Sequence, residues 1–149
     1  MKGGAYPEPQ ADLWPLLSRG REIMKTEASD TQSFYREVVL SGNVWTIQVG
    51  KGVRTFDDKK GKTRFYLWSS RDRVMRIIEN EYSFQGNKPL EIPWVLFSTK
   101  WMPGLAELQF AFVLNWSGRD NPILEESAEE ITMNMEHHIE LHQKNEIAE

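Results

Sequence analysis

The sequence contains no cysteine. That absence excludes disulfides, thiolate zinc sites, iron–sulfur clusters and cysteine nucleophiles. There is no long apolar run either: nothing approaches the roughly 20 residues that a membrane-spanning helix needs. Residues 1–12 carry one lysine and no apolar segment, so no signal peptide is expected. Gly-x-Ser-x-Gly is missing, and all three histidines (His137, His138, His142) sit near the C-terminus, which leaves no Ser-His-Asp arrangement. The expectation is a cytoplasmic protein with no membrane contact, no catalytic residue and no cofactor.

What is present is the composition of a folded domain. Of 149 residues, 40% are hydrophobic and 27% charged, and six are tryptophan, which argues against disorder. The length predicts one domain. Residues 1–11, with Gly3, Gly4, Pro7 and Pro9, read as a flexible tail, and residues 12–149 as a single α+β domain.

The net charge of −4 is unevenly spread. Residues 1–119 hold 17 basic and 13 acidic residues, whereas residues 120–149 hold one basic and nine acidic. Nine of the basic residues fall in Lys51–Arg76. Either the acidic tail packs beside this basic stretch, or one of the two faces a partner of opposite sign, or both are solvated faces.

Periodicity places the elements. Asp12 caps a short helix through Ile23, and Glu27–Thr31 reads as a loop. Asp30 then caps a helix bearing Phe34, Tyr35, Val38 and Val39, stopped by Gly42-Asn43. Val44–Val49 alternates as a half-buried strand. Val53–Phe56 and Thr63–Trp68 are the next strands, joined by a turn in which Gly61 can take positive φ. Ser69 and Ser70 end the strand and cap a helix burying Val74, Met75, Ile77, Ile78 and Tyr82, with Ser69 and Asp72 approximating a capping box. Leu90–Ile92 is extended. Pro93 opens a short helix through Trp101, which Met102-Pro103-Gly104 stops. Leu108–Trp116 is almost wholly apolar and predicts a strand covered on both faces. The last helix spans about Ile123–Lys144, packed by Leu124, Ala128, Ile131 and Met135; Ser127 with Glu130 offers a start point. The sum is an α+β fold: a mostly antiparallel sheet of about four strands packed with helices, the last of them acidic.

The motifs Val44-Trp45, Leu67-Trp68-Ser69, Leu90 with Ile92, and Phe97 to Leu105 through Trp101-Met102-Pro103-Gly104 occur in a distinctive order. In this the chain resembles a mostly bacterial domain of unknown function, family number twenty-seven-fifty, over roughly Phe34 to Ile131. The resemblance implies no activity and transfers no catalytic residue.

Candidate chemistry is thin. Gly61-Lys62-Thr63 looks like the end of a phosphate loop, but it lies between two strands and reads as a hairpin turn. His138 and His142 share a helix face at i, i+4, spacing that could hold a metal; no third ligand is implied, and no metal is expected. The adjacent carboxylate pairs point apart or into solvent. The aromatics interleaved with Lys51–Arg76 carry no RNA-binding signature, and the acidic balance argues against nucleic acid. Trp94, Trp101 and Met102 form an aromatic patch whose default reading is core. If a binding site is to be placed, it is there, with Trp68, Arg64 and Arg71. Two functions compete, with a structural or oligomer-forming role as a third reading. One is a non-catalytic protein-interaction module, inhibitor- or immunity-like, that contacts another protein through the acidic C-terminal helix or the basic hairpin. The other is a small-molecule-binding domain or minor enzyme with a Trp/Arg-lined pocket.

Overall fold

The computed structural model describes residues 21–57, 60–119 and 121–148. The readings made above for residues 1–20 lie outside these. Helix α1 (Arg21–Ser41) leads into β1 (Asn43–Val49), β2 (Gly52–Val53), β3 (Thr55–Asp57) and β4 (Thr63–Leu67). Helix α2 (Arg71–Asn80), a 3-10 turn (Tyr82–Phe84) and β5 (Lys88–Pro93) follow. Next come α3 (Trp94–Leu96), a π turn (Phe97–Trp101), α4 (Met102–Glu107), β6 (Ala111–Leu114), β7 (Glu125–Glu126) and α5 (Ala128–Ala148).

The fold is α+β, with the strands in two mostly antiparallel sheets: β2-β1-β5 and β3-β4-β6-β7. The expected set of about four strands is therefore divided. The stretch Val53–Phe56 leaves one sheet for the other at Arg54, whose amide donates to Ile47 O (2.8 Å) before Thr55 pairs with Phe65. The sheets rejoin where Trp45 and Trp68 exchange backbone hydrogen bonds, both 2.8 Å. Among the described residues the one parallel pair is β4 with β6.

Strand alternation sorts the core into two clusters. Phe65 and Leu67 of β4, with Phe112 and Leu114 of β6, face α1, the π turn and α5, where Phe34, Val38, Phe97, Met102, Ile131 and Met135 are buried. Tyr66, Trp68 and Val113 face the other way, onto Val74, Ile77 and Phe84 beside Trp116. All four β6 residues are buried, as their unbroken apolar run predicts. That strand is shorter than Leu108–Trp116, because Gln109 and Asn115 take positive φ at its two ends. β1 is covered on both faces over Val44–Ile47, rather than half-buried.

Several local expectations are corrected. Glu27–Thr31 is helical within α1: the segment holds no Gly or Pro, and nothing in it breaks a helix. α1 does end at Gly42, whose φ of +80° lets its amide reach Val38 O at 2.7 Å. Of the two serines expected to cap α2, Ser70 does so, its Oγ accepting from Arg73 N, and the Ser69–Asp72 capping box does not form. Tyr82 is 84% exposed, because α2 ends two residues before it. Met102-Pro103-Gly104 does not stop a helix. The π turn closes with Met102 N donating to Phe97 O, and Pro103 then falls in the first turn of α4, where its missing N–H costs no helical bond. Ile123–Glu126 precedes the last helix instead of opening it, and Ser127 and Glu130 form a reciprocal capping box (2.8 and 3.1 Å). No helix among the described residues is long and apolar enough to cross a membrane.

Phe112 is fully buried, with its ring 6.0 Å from that of Phe65 and 6.2 Å from that of Phe97. Phe112→Ala is expected to cost about 3–5 kcal/mol in denaturant unfolding followed by tryptophan fluorescence. Leu108→Ala, at a position 67% exposed, is expected to stay within about 0.5 kcal/mol.

Candidate functional site

The residues singled out from the sequence do not converge. Trp68 is buried in the second cluster, and its indole Nε1 donates to Trp116 O at 2.7 Å. Trp94, Trp101 and Met102 pack on the first cluster, through ring contacts of Trp94 and Trp101 with Phe97 at 5.9 Å each. Arg64 is buried at the start of β4, paired with Glu125, which also lies 3.9 Å from Lys62 Nζ. Arg71 is exposed at the start of α2, past the opposite end of β4. His138 lies against Tyr35, its ring stacked at 5.3 Å and 16°. Among the described residues no group of three or more His, Asp or Glu could hold a metal ion.

What does converge is a polar cluster at the carboxyl ends of β4 and β6. Leaving those parallel strands, the chain places Ser69 and Asn115 side by side. Ser69 N donates to Asn115 Oδ1 (2.9 Å), and Asn115 Nδ2 donates to Ser69 Oγ (3.0 Å). Ser69 Oγ donates to Glu37 Oε1 of α1 at 2.6 Å. Arg73 of α2 grips the same carboxylate with two bonds, Nε to Oε1 (2.9 Å) and Nη2 to Oε2 (2.8 Å). The hydrogen bonds from Arg73 hold the Glu37 carboxyl below the usual carboxylate range. Asn115 is buried with φ +54°, a conformation unusual for a side-chain-bearing residue and held here by its bonds and by its amide on Leu67 O.

An open cleft of about 580 Å³ borders this cluster, lined by Glu37, Leu40, Ser41, Ser69, Ser70, Asp72, Arg73 and Arg76. Its walls carry two acids and two bases. Ser69 is 1% exposed and spends its hydroxyl proton on a carboxylate, so it is no accessible nucleophile. The arrangement fastens α1 to α2.

A second polar cluster seats α5 on α1. The Tyr35 hydroxyl donates to Glu126, and Asn134 Nδ2 reaches both Glu126 Oε1 (3.2 Å) and Tyr35 Oη (3.3 Å). Burial pushes the Tyr35 and Glu126 groups above their ordinary pKa values, so both resist ionisation. Burial, with His137 and Arg36 adding to it, lowers that of His138.

The outer face of α5 is different. Glu129, Glu136 and Glu140 are exposed and make no ion pair among the described residues. Met133, 63% exposed, and Leu141, 42% exposed, stand among them. An open groove of about 510 Å³ runs along this face.

Sequence reading missed Glu37, Asn115 and Ser69. Asn115 carried a signal, as the one polar residue inside the apolar run Phe110–Trp116; a polar group in a buried strand needs partners. Glu37 carried none, since its partner lies 36 residues away.

The family described as "Protein of unknown function (DUF2750)" matches residues 31–135, somewhat more than the stretch from Phe34 to Ile131 on which the resemblance was drawn. No curated protein matches the sequence.

Two measurements test the polar cluster. The ordinary value for the Glu37 carboxyl is 4.5 and its folded value lies lower. Its contribution to stability is therefore complete above about pH 4.5 and is lost as pH falls through the folded value. Glu37→Gln is expected to flatten that acid limb in urea unfolding measured from pH 7 to 3. Asn115→Ala, which strands the partners on Ser69 and keeps the strained φ, is expected to cost about 2–3 kcal/mol. Asn115→Gly should recover about 1 kcal/mol of that loss by relieving the backbone.

Proposed function

This chain belongs to the DUF2750 family, and from that premise we propose that it is a non-catalytic protein-interaction module, inhibitor- or immunity-like in its action. The observation that carries the reading is the contrast between spent and unspent polar groups. Ser69, Asn115, Glu37 and Arg73 are satisfied on one another. Tyr35, Glu126 and Asn134 are likewise engaged. Neither cluster sets an exposed nucleophile beside a base. The acids of the outer face of α5 have no such assignments, and exposed apolar side chains interrupt them.

Of the two candidate contact regions, the basic hairpin has the weaker support. Two of its cations, Lys62 and Arg64, already meet Glu125, so the acidic tail satisfies part of the basic stretch within the chain. The excess acid lies further along, on α5. A basic protein surface is the partner that complements it. The localisation proposed for the protein is the cytoplasm, where a chain with no cysteine has no disulfide to form or lose.

A second reading, small-molecule binding, draws on the cleft of about 580 Å³ beside Arg73 and Arg76. A cleft at the carboxyl ends of parallel strands is where α/β sheets bind ligands, by analogy of architecture. No tryptophan lines it, so the Trp/Arg-lined form of that reading gains no support there.

Affinity capture with the tagged chain from lysate of its own source, at about 50 mM salt, is expected to retain a defined protein that about 500 mM salt releases. Its mass should be unchanged, as a non-catalytic contact requires. Recovery of no partner, together with turnover in a substrate screen, would sink the reading.

A further inference from the structure

The groove on α5 is lined by Met133, Glu136, His137, Ile139, Glu140 and Gln143. Ile139 is half-buried against the first core cluster, and Met133 is 63% exposed, so the groove combines a half-buried apolar wall with an open one. Glu136 and Glu140 are one turn apart on a single helix face, where like charges repel each other. Neither meets a cation among the described residues, and Glu129 adds a third charge one turn before Met133.

An acidic face without apolar surface would attract cations diffusely. An apolar face without charge would fit many partners. This face has both within about two helical turns, and charge complementarity limits what can cover it. The same acids repel nucleic acid and anionic membranes. Methionine is unbranched and adapts to irregular apolar surfaces, and arginine and lysine carry aliphatic stems that lie along such surfaces while their heads reach a carboxylate. We propose that this groove docks an amphipathic cationic segment of a partner protein, with arginine or lysine heads between Glu136 and Glu140 and apolar side chains against Met133 and Ile139. The inference rests on the interaction-module reading and adds the chemistry of the partner to it.

The test uses the full chain and three labelled helical peptides of one leucine pattern, with polar positions filled by arginine, glutamine or glutamate. Fluorescence anisotropy is read at about 50 and about 500 mM salt, and amide NMR shifts map the contact. The arginine peptide alone is expected to bind, with shifts confined to residues 129–144. E136Q/E140Q together should weaken it roughly tenfold and flatten its salt dependence. M133S should weaken it several-fold and leave the salt dependence intact, which a purely electrostatic contact would not show. All three positions are exposed, so folding is expected to persist, and an unchanged unfolding midpoint checks this. Equal binding of the glutamate peptide, shifts outside α5, or indifference to E136Q/E140Q would overturn the proposal. A captured partner that contacts another face would overturn it too, while leaving the interaction-module reading in place.

Discussion

The junction at Trp68 is the constraint on which the rest of the architecture depends. Its backbone amide and carbonyl both pair with Trp45, which joins the two sheets. Its indole reaches Trp116 O, which ties the end of β4 to the chain leaving β6. The next residue, Ser69, turns the chain into α2 and enters the polar cluster. Because β4 and β6 are covered on both faces, each of their large apolar side chains has an assigned cluster. A slip of one residue would send Tyr66 toward α1 and Phe65 toward α2. Large rings on each face, meeting at 4.9 to 6.2 Å, fix that assignment by shape.

Arg64 shows how a charge is accommodated in such a strand. It is 8% exposed and would be costly alone; Glu125 from β7 neutralises it. β7 is only two residues long, yet it places that carboxylate and, one residue later, Glu126 beneath Tyr35. Adjacent acids thus serve opposite faces of the sheet, one against β4 and one against α1. The two-residue strand period achieves this without a further loop.

Local physics was legible in the sequence wherever a feature is completed within a few residues. The Ser127–Glu130 capping box, the glycine end of α1, the hairpin before Thr63 and the apolar run of β6 all belong to this class. Features decided at long range were not legible. Nothing near Arg54 tells that its strand changes sheets, since the choice is made by Phe65 and Ile47. The π turn that carries a helix through Pro103 depends on seating Phe97 and Met102 in the first cluster while Trp94 and Trp101 flank them. The same limit applies to the site. The tryptophans attract notice because they are rare and large, but the five among the described residues (Trp45, Trp68, Trp94, Trp101 and Trp116) all lie in or against the two core clusters. Glu37, an ordinary helix-surface residue in sequence, acquires its role only because α2 starts beside it.

The charge distribution then explains why the acidic helix remains outward. Salt bridges near a surface contribute little unless they are buried or bidentate. The chain uses its acids accordingly. Glu37 takes a bidentate arginine, Glu125 a buried one, Glu126 a buried tyrosine, and Glu130 a helix cap. Each of these acids closes a contact between segments or ends a helix. Glu129 suits the positive end of the helix dipole in the first turn of α5. Glu136 and Glu140 do none of this, and stability alone gives no reason to place two repelling charges one turn apart beside an exposed methionine. Under the proposed interaction reading, this face is the one left available to a second molecule, and the sign of its charge would set the sign of that partner.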